Sequence, residues 1–150
     1  MSETIIQVTS LGKRIKGKTI LEDISFEINQ GDCVALIGPN GAGKTVLMSC
    51  ILGDKKPSSG QVLIDGKAGK AKNKIAVLLQ ENTIPNSLKV EELIAFFQSI
   101  SDNPLTNQEV QELLQFKEDQ YQQFADKLSG GQRRLLAFVL CLIDKPKILF

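Results

Sequence analysis

Gly38 to Thr45 reads GPNGAGKT, a match to the pattern G-x-x-x-x-G-K-[ST]. Each residue type there has a chemical reason. Glycines at 38, 41 and 43 let the backbone curl tightly and turn its N–H groups inward, which makes a concavity for an anion. The helix expected from Lys44 onward points its positive end at the same place. Lys44 is a flexible point charge that reaches the outer phosphates of a nucleotide. Thr45 offers a hydroxyl oxygen of the hard kind that Mg²⁺ prefers. The stretch therefore predicts phosphate binding. It does not choose a reaction, since small-molecule kinases, GTPases, helicases and transport ATPases all use such a loop.

A second stretch is LSGGQRRLLAF, Leu128 to Phe138. Ser129 and Gln132 have the spacing of an S-x-x-Q capping box. Gly130 and Gly131 leave backbone N–H groups bare, and a long apolar helix follows. Two readings stay open on these residues alone: an exposed helix N-terminus suited to an anion, and an ordinary helix start. Capping does not exhaust Ser129, whose hydroxyl accepts from its own helix and still donates outward.

Elements around these groups must hold them in place. TIIQVTSL and ILEDISFEI predict strands, the second half-buried with Ile24, Phe26 and Ile28 on one face. Asn29 to Asp32 predicts a turn. CVALIG, Cys33 to Gly38, is continuously apolar, as in a strand covered on both sides, and it leads into the glycine loop. VLMSCILG predicts a short helix ending at Gly53. After a loop at KPSSG, QVLIDGK predicts a strand with a turn at Asp65-Gly66. KIAVLLQ predicts a buried strand ending at Gln80. Then the period changes. Val90, Leu93, Ile94 and Phe97 recur at helical spacing. Thr106 to Glu109 is a capping box, followed by Val110, Leu113 and Leu114 on one helix face. Phe96, Phe97, Phe116, Tyr121 and Phe124 are expected mostly in a core. The layout is α/β in one domain over 1–150.

Composition removes several function classes. Net charge is +1 and apolar content 42%, so there is no basic field to attract nucleic acid or an anionic membrane. With no histidine in the chain, histidine-based catalysis and histidine metal ligands are excluded within it. Cys33, Cys50 and Cys141 sit within apolar runs and are expected to be buried, reduced thiols of a cytosolic protein. The start, MSETIIQVTS, lacks the layout of a signal peptide. The longest apolar run, Leu135 to Ile143, has nine residues, against roughly twenty for a bilayer span. Direct membrane insertion is not expected.

Taken together, GPNGAGKT, Gln80 after KIAVLL, and LSGGQ resemble the ATP-binding domain of ABC transporters. The order and spacing fit: Lys44 to Gln80 is 36 positions and Gln80 to Ser129 is 49. DISFEINQGDCVALIG and KPSSGQVLIDGK are also similar to that family's N-terminal half. The resemblance implies a P-loop NTPase-type cassette with a β-rich N-terminal region, a parallel core sheet, and a helical subdomain over roughly 85–128 that docks on a transmembrane permease. It implies ATP and Mg²⁺ as cofactors. Gly38, Asn40, Gly41, Ala42, Gly43, Lys44, Thr45 and Val46 would surround the phosphates, with Thr45 and Gln80 toward the metal. Lys44 and Gln80 would serve catalysis. Ser129 and Gly131 would cap the γ-phosphate of ATP held by a second ATP-binding subunit, paired head to tail.

The family places an aromatic residue on the adenine, and the matching position here is Ile15. It covers a base face without a π-system, so base selectivity is expected to be poor. The family also implies that the strand KPKILF leads to an Asp–Glu pair and a later His. The chain stops at Phe150 before these, so the general base is absent from it. It is expected to be an incomplete cassette that does not hydrolyse ATP alone. The expected role is a cytoplasmic ATP-binding subunit, peripheral on the inner membrane face, that couples ATP binding and hydrolysis to transport. LSGGQRRL and the short helical region look most like drug or antibiotic exporters. The alternatives are a soluble ABC-type ATPase acting on ribosomes or DNA, and a non-catalytic nucleotide-binding fragment.

Overall fold

The computed structural model describes residues 3–68, 75–79 and 84–150. The chain forms two compact units, Met1–Ala71 and Lys72–Phe150.

The first unit is built on an antiparallel sheet. Strand β1 (Thr4–Ile15) pairs with β2 (Lys18–Asn29) on one edge and β3 (Ser59–Ile64) on the other; β4 (Lys67–Ala68) completes the order β2-β1-β3-β4. Lys16 and Gly17 join β1 to β2 with φ of 48° and 79°, and Asp65 and Gly66 join β3 to β4 with 49° and 69°. Positive φ at both central residues is the hairpin backbone that matches strand twist. The predicted turn at Asp65-Gly66 is therefore present. So is the one at Asn29–Asp32, where the Asp32 N–H donates to the Asn29 carbonyl at 3.1 Å. β1 is an inner strand and buries Ile6, Val8 and Leu11. Ile24, Phe26 and Ile28 of β2 are half-buried, alternating with exposed Ser25 and Glu27, as their period requires. At Gly60, which has φ of 72°, a Cβ would collide with the carbonyl oxygens of Thr9 and Ser10, so only glycine lets β3 approach β1 there. Helix α1 (Lys44–Ile51) buries Leu47, Cys50 and Ile51.

One expectation for this unit fails. Residues 32–39 form no strand, and Val34, Leu36 and Ile37 are 60%, 45% and 89% exposed. A continuously apolar strand needs a hydrogen-bonding neighbour and cover on both faces. Among the described residues no strand pairs with it. Cys33 is consequently exposed, against expectation, while Cys50 is buried and Cys141 half-buried; all three are free thiols. Burial pushes the Cys50 and Cys141 thiols up from their ordinary pKa.

In the second unit, β5 (Ile75–Ala76) pairs in parallel with β6 (Ile148–Leu149). KIAVLLQ was expected to be a buried strand; among its described residues only Ile75 and Ala76 form strand, and Val77 and Leu79 are exposed. The remainder is helical: α2 (Val90–Ser99), α3 (Asn107–Leu114), α4 (Glu118–Tyr121), a 3₁₀ turn (Ala125–Lys127) and α5 (Gly130–Leu142). Val90, Leu93 and Ile94 of α2, Val110 and Leu114 of α3, and Leu136, Val139 and Leu140 of α5 share one core. Leu113, expected on the same face as Leu114, is 42% exposed. Phe97, Phe116 and Tyr121 pack against this core, while Phe96 and Phe124 stay outside it.

Candidate functional site

The glycine loop lies in the first unit. Gly41 and Gly43 have φ of 84° and 89°. In this left-handed region a Cβ is penalised, so the loop needs glycine at both positions. Gly43 has a second reason: a Cβ there would lie 2.9 Å from Leu21 Cδ2 and 3.2 Å from the Ile20 carbonyl oxygen. β2 thus packs directly behind the loop. Gly43 also forms the N-cap of α1, and its carbonyl accepts from the Leu47 N–H at 2.8 Å. No side chain caps this helix and no acidic residue stands in its first turn. Its positive end is left for an outside anion.

Lys44 bends back over the loop. Its Nζ donates to the carbonyls of Gly38 at 2.6 Å and Pro39 at 2.7 Å. The ammonium is therefore held at the loop by two hydrogen bonds. Asn40, Ala42 and Thr45 are exposed, and Val46 is half-buried. Loop amides, a held cation and a free-standing hydroxyl make a donor set that fits a polyphosphate with a hard cation. Ile15 ends β1 and is half-buried, paired with Lys18 of β2.

The second motif starts α5 in the other unit. Ser129 is the N-cap, with the predicted box in place: Gln132 N–H donates to Ser129 Oγ at 3.3 Å, and Ser129 N–H donates to Gln132 Oε1 at 3.0 Å. A Cβ on Gly130 or Gly131 would meet nothing within 4 Å. The glycines thus stand in open space, not in a tight contact. Gln80 lies outside the described residues.

One contact was not legible in the sequence. Arg133 Nη2 donates to Asn86 Oδ1 at 2.8 Å across 47 positions. No periodicity or motif links those two residues, so no sequence signal pointed to it. A cavity of about 510 Å³ opens along α2 and α3, but no residue of either motif lines it.

A glycine loop with a lysine leading into an uncapped helix, within an α/β chain, defines a P-loop nucleotide-binding protein. The family is narrower than that class. The chain matches the ABC transporter family over residues 21–150 and belongs to it. It is 35% identical to the methionine import ATP-binding protein MetN of Legionella pneumophila (strain Paris), over 97% of this chain and 46% of that protein. It is 34% identical to the spermidine/putrescine import ATP-binding protein PotA of Protochlamydia amoebophila, over 93% of this chain and 39% of that protein. The chain thus spans less than half the length of these curated relatives. Among solved structures, cbiO1 of Clostridium perfringens, part of the ABC transporter complex cbiONQ, superposes with a TM-score of 0.80. The identity is 24%, over 98% of this chain and 64% of that one. An ATP-binding subunit of an ABC transporter superposes with 0.79 at 23% identity, over 97% and 65%. Both have the P-loop NTPase-type fold expected. The curated relatives named here are import proteins, which gives no support to the exporter expectation.

Proposed function

We propose that this chain binds ATP with Mg²⁺ as the nucleotide-binding part of an ABC importer's ATP-binding subunit. The observation that carries the reading is the loop Gly38–Thr45, with Gly41 and Gly43 at positive φ, an uncapped helix behind it and the Lys44 ammonium held over it. Gly38, Asn40, Gly41, Ala42, Gly43 and Val46 surround the phosphates, and Lys44 contacts the outer ones. Thr45 and Gln80 hold the Mg²⁺, which when bound neutralises phosphate charge. Ile15 covers the adenine. Ser129 and Gly131 meet the γ-phosphate of ATP on a second subunit paired head to tail.

In the assembled transporter, ATP binding drives that pairing and hydrolysis powers transport. The import direction follows the relatives' names. The region 85–128 docks on a membrane permease, a placement supported by Phe96 on α2 and Ile100 at the C-cap of that helix, 55% and 65% exposed. The permease holds the subunit at the cytoplasmic face of the membrane; no described helix is long and apolar enough to cross it.

The test is isothermal calorimetry of MgATP with the chain and with Lys44→Ala. The variant should bind at least about tenfold more weakly, a change of about 1.4 kcal/mol. Equal affinities would reject the role of Lys44.

A further inference from the structure

The start of α5 combines features that pull against each other. Two consecutive glycines in a first helical turn are conformationally loose, and the space where a Cβ would stand on either is open to 4 Å. A phosphate-binding turn instead needs its amides fixed before the anion arrives. The capping box fixes Ser129 and Gln132. It does not fix the turn against the rest of the unit.

Arg133 supplies that link. Its backbone N–H donates to the Ser129 carbonyl at 2.9 Å, and its guanidinium donates to Asn86 Oδ1 at 2.8 Å. Asn86 lies in a turn anchored on both sides: Ile84 is buried in the core and Leu88 packs against it. The chain of bonds runs from Ser129 through Arg133 to a turn fastened to the core. We infer that Arg133 is a positioning residue, which through Asn86 holds the amides of Gly130 and Gly131 in place for a phosphate group. This rests on the reading of Ser129 and Gly131 above, and adds the residue pair that makes their turn rigid.

The experiment follows the amide signals of the ¹⁵N-labelled chain during titration with inorganic phosphate. Gly130 and Gly131 should shift with saturation in the parent. Asn86→Ala keeps the Arg133 charge and removes only its partner, and should weaken that response roughly fivefold or more. Arg133→Ala should weaken it at least as much. Asn86→Asp restores an acceptor and should recover most of it. The amides of Gly41, Gly43 and Lys44 serve as an internal reference in every variant.

If Asn86→Ala leaves the Gly130 and Gly131 response unchanged, Arg133 acts by charge alone and the inference is overturned. Silence at these glycines in the parent also overturns it. In either case a response at Lys44 leaves the nucleotide-binding reading standing. Silence at both loops removes the two together.

Discussion

Helix α1 begins at Gly43 with no side chain over its first turn, whereas α5 begins at Ser129 under two reciprocal hydrogen bonds. Both starts carry glycines and both face solvent. At α1 the glycines are demanded by backbone geometry, with positive φ and β2 pressed behind Gly43. At α5 the glycines have ordinary helical φ and empty space around them. The first start leaves its amides for a ligand and adds a cation of its own. The second already satisfies part of its amide set and keeps its surroundings clear. Glycine is thus a steric necessity at one helix start and an access device at the other.

That difference is open to direct attack with a single substitution made twice. Gly43→Ala forces a side chain into the left-handed region, at about 1–2 kcal/mol, and drives a methyl into Leu21 and the Ile20 carbonyl, at about 1–3 kcal/mol. Denaturant unfolding should show a loss of about 3 kcal/mol, with nucleotide binding lost too. Gly131→Ala should instead stabilise the chain by roughly 0.5 kcal/mol, since alanine is the better helix former and nothing opposes its Cβ. Its phosphate response should nevertheless fall, because the methyl occupies the open approach. Losses of similar size at both positions would collapse the distinction.

Features set by neighbours in sequence were legible before the structure was known. The boxes at Thr106–Glu109 and Ser129–Gln132, the Asp65-Gly66 turn and the apolar face of α2 depend on groups within a turn or two. Features set by distant partners were not. Cys33–Gly38 is apolar enough for a buried strand, but burial depends on which strands pair with it, and the run itself does not say. Cys33 was misjudged with it. Leu113 and Leu114 are adjacent, and spacing alone did not settle which one the core takes. The Arg133–Asn86 bond joins residues 47 apart. At the site, the glycine pattern announced the loop, but not that Lys44 would be held by the Gly38 and Pro39 carbonyls.

The next effect is smaller and concerns the rim of the first start. If Ile15 covers the adenine, Ile15→Tyr adds a π-face at the β1–β2 hairpin and should tighten ATP binding by about 1 kcal/mol. Calorimetry should show ATP gaining more than inorganic triphosphate does. An equal gain for both would place the adenine away from β1. No gain for either would reject Ile15 as the base contact.

The smallest expected effect separates two caps of the same design. α3 and α5 each start under a reciprocal box, but the third residue is Glu109 in one and Gln132 in the other. The Thr106 N–H donates to Glu109 Oε2 at 2.7 Å, and Lys145 Nζ lies 3.8 Å from the same oxygen. Hydrogen bonding from the Thr106 backbone, then from its side chain, with Lys145 adding a smaller attraction, holds the Glu109 carboxyl below its ordinary value of 4.5. A depressed folded-state pKa contributes stability that is present above the unfolded value and lost as pH falls through the folded one. Gln132 does not titrate. Below about pH 4, near the ordinary range of a glutamate, the start of α3 should loosen while that of α5 holds. Hydrogen exchange at the Val110 and Arg133 amides, which close the first turn of each helix, reads this directly. Exchange should be corrected for its intrinsic pH dependence, and Glu109→Gln should abolish the change at Val110. Parallel loosening of both helices, or an unchanged Val110 response in Glu109→Gln, would show that acid acts on the whole unit and not through this cap.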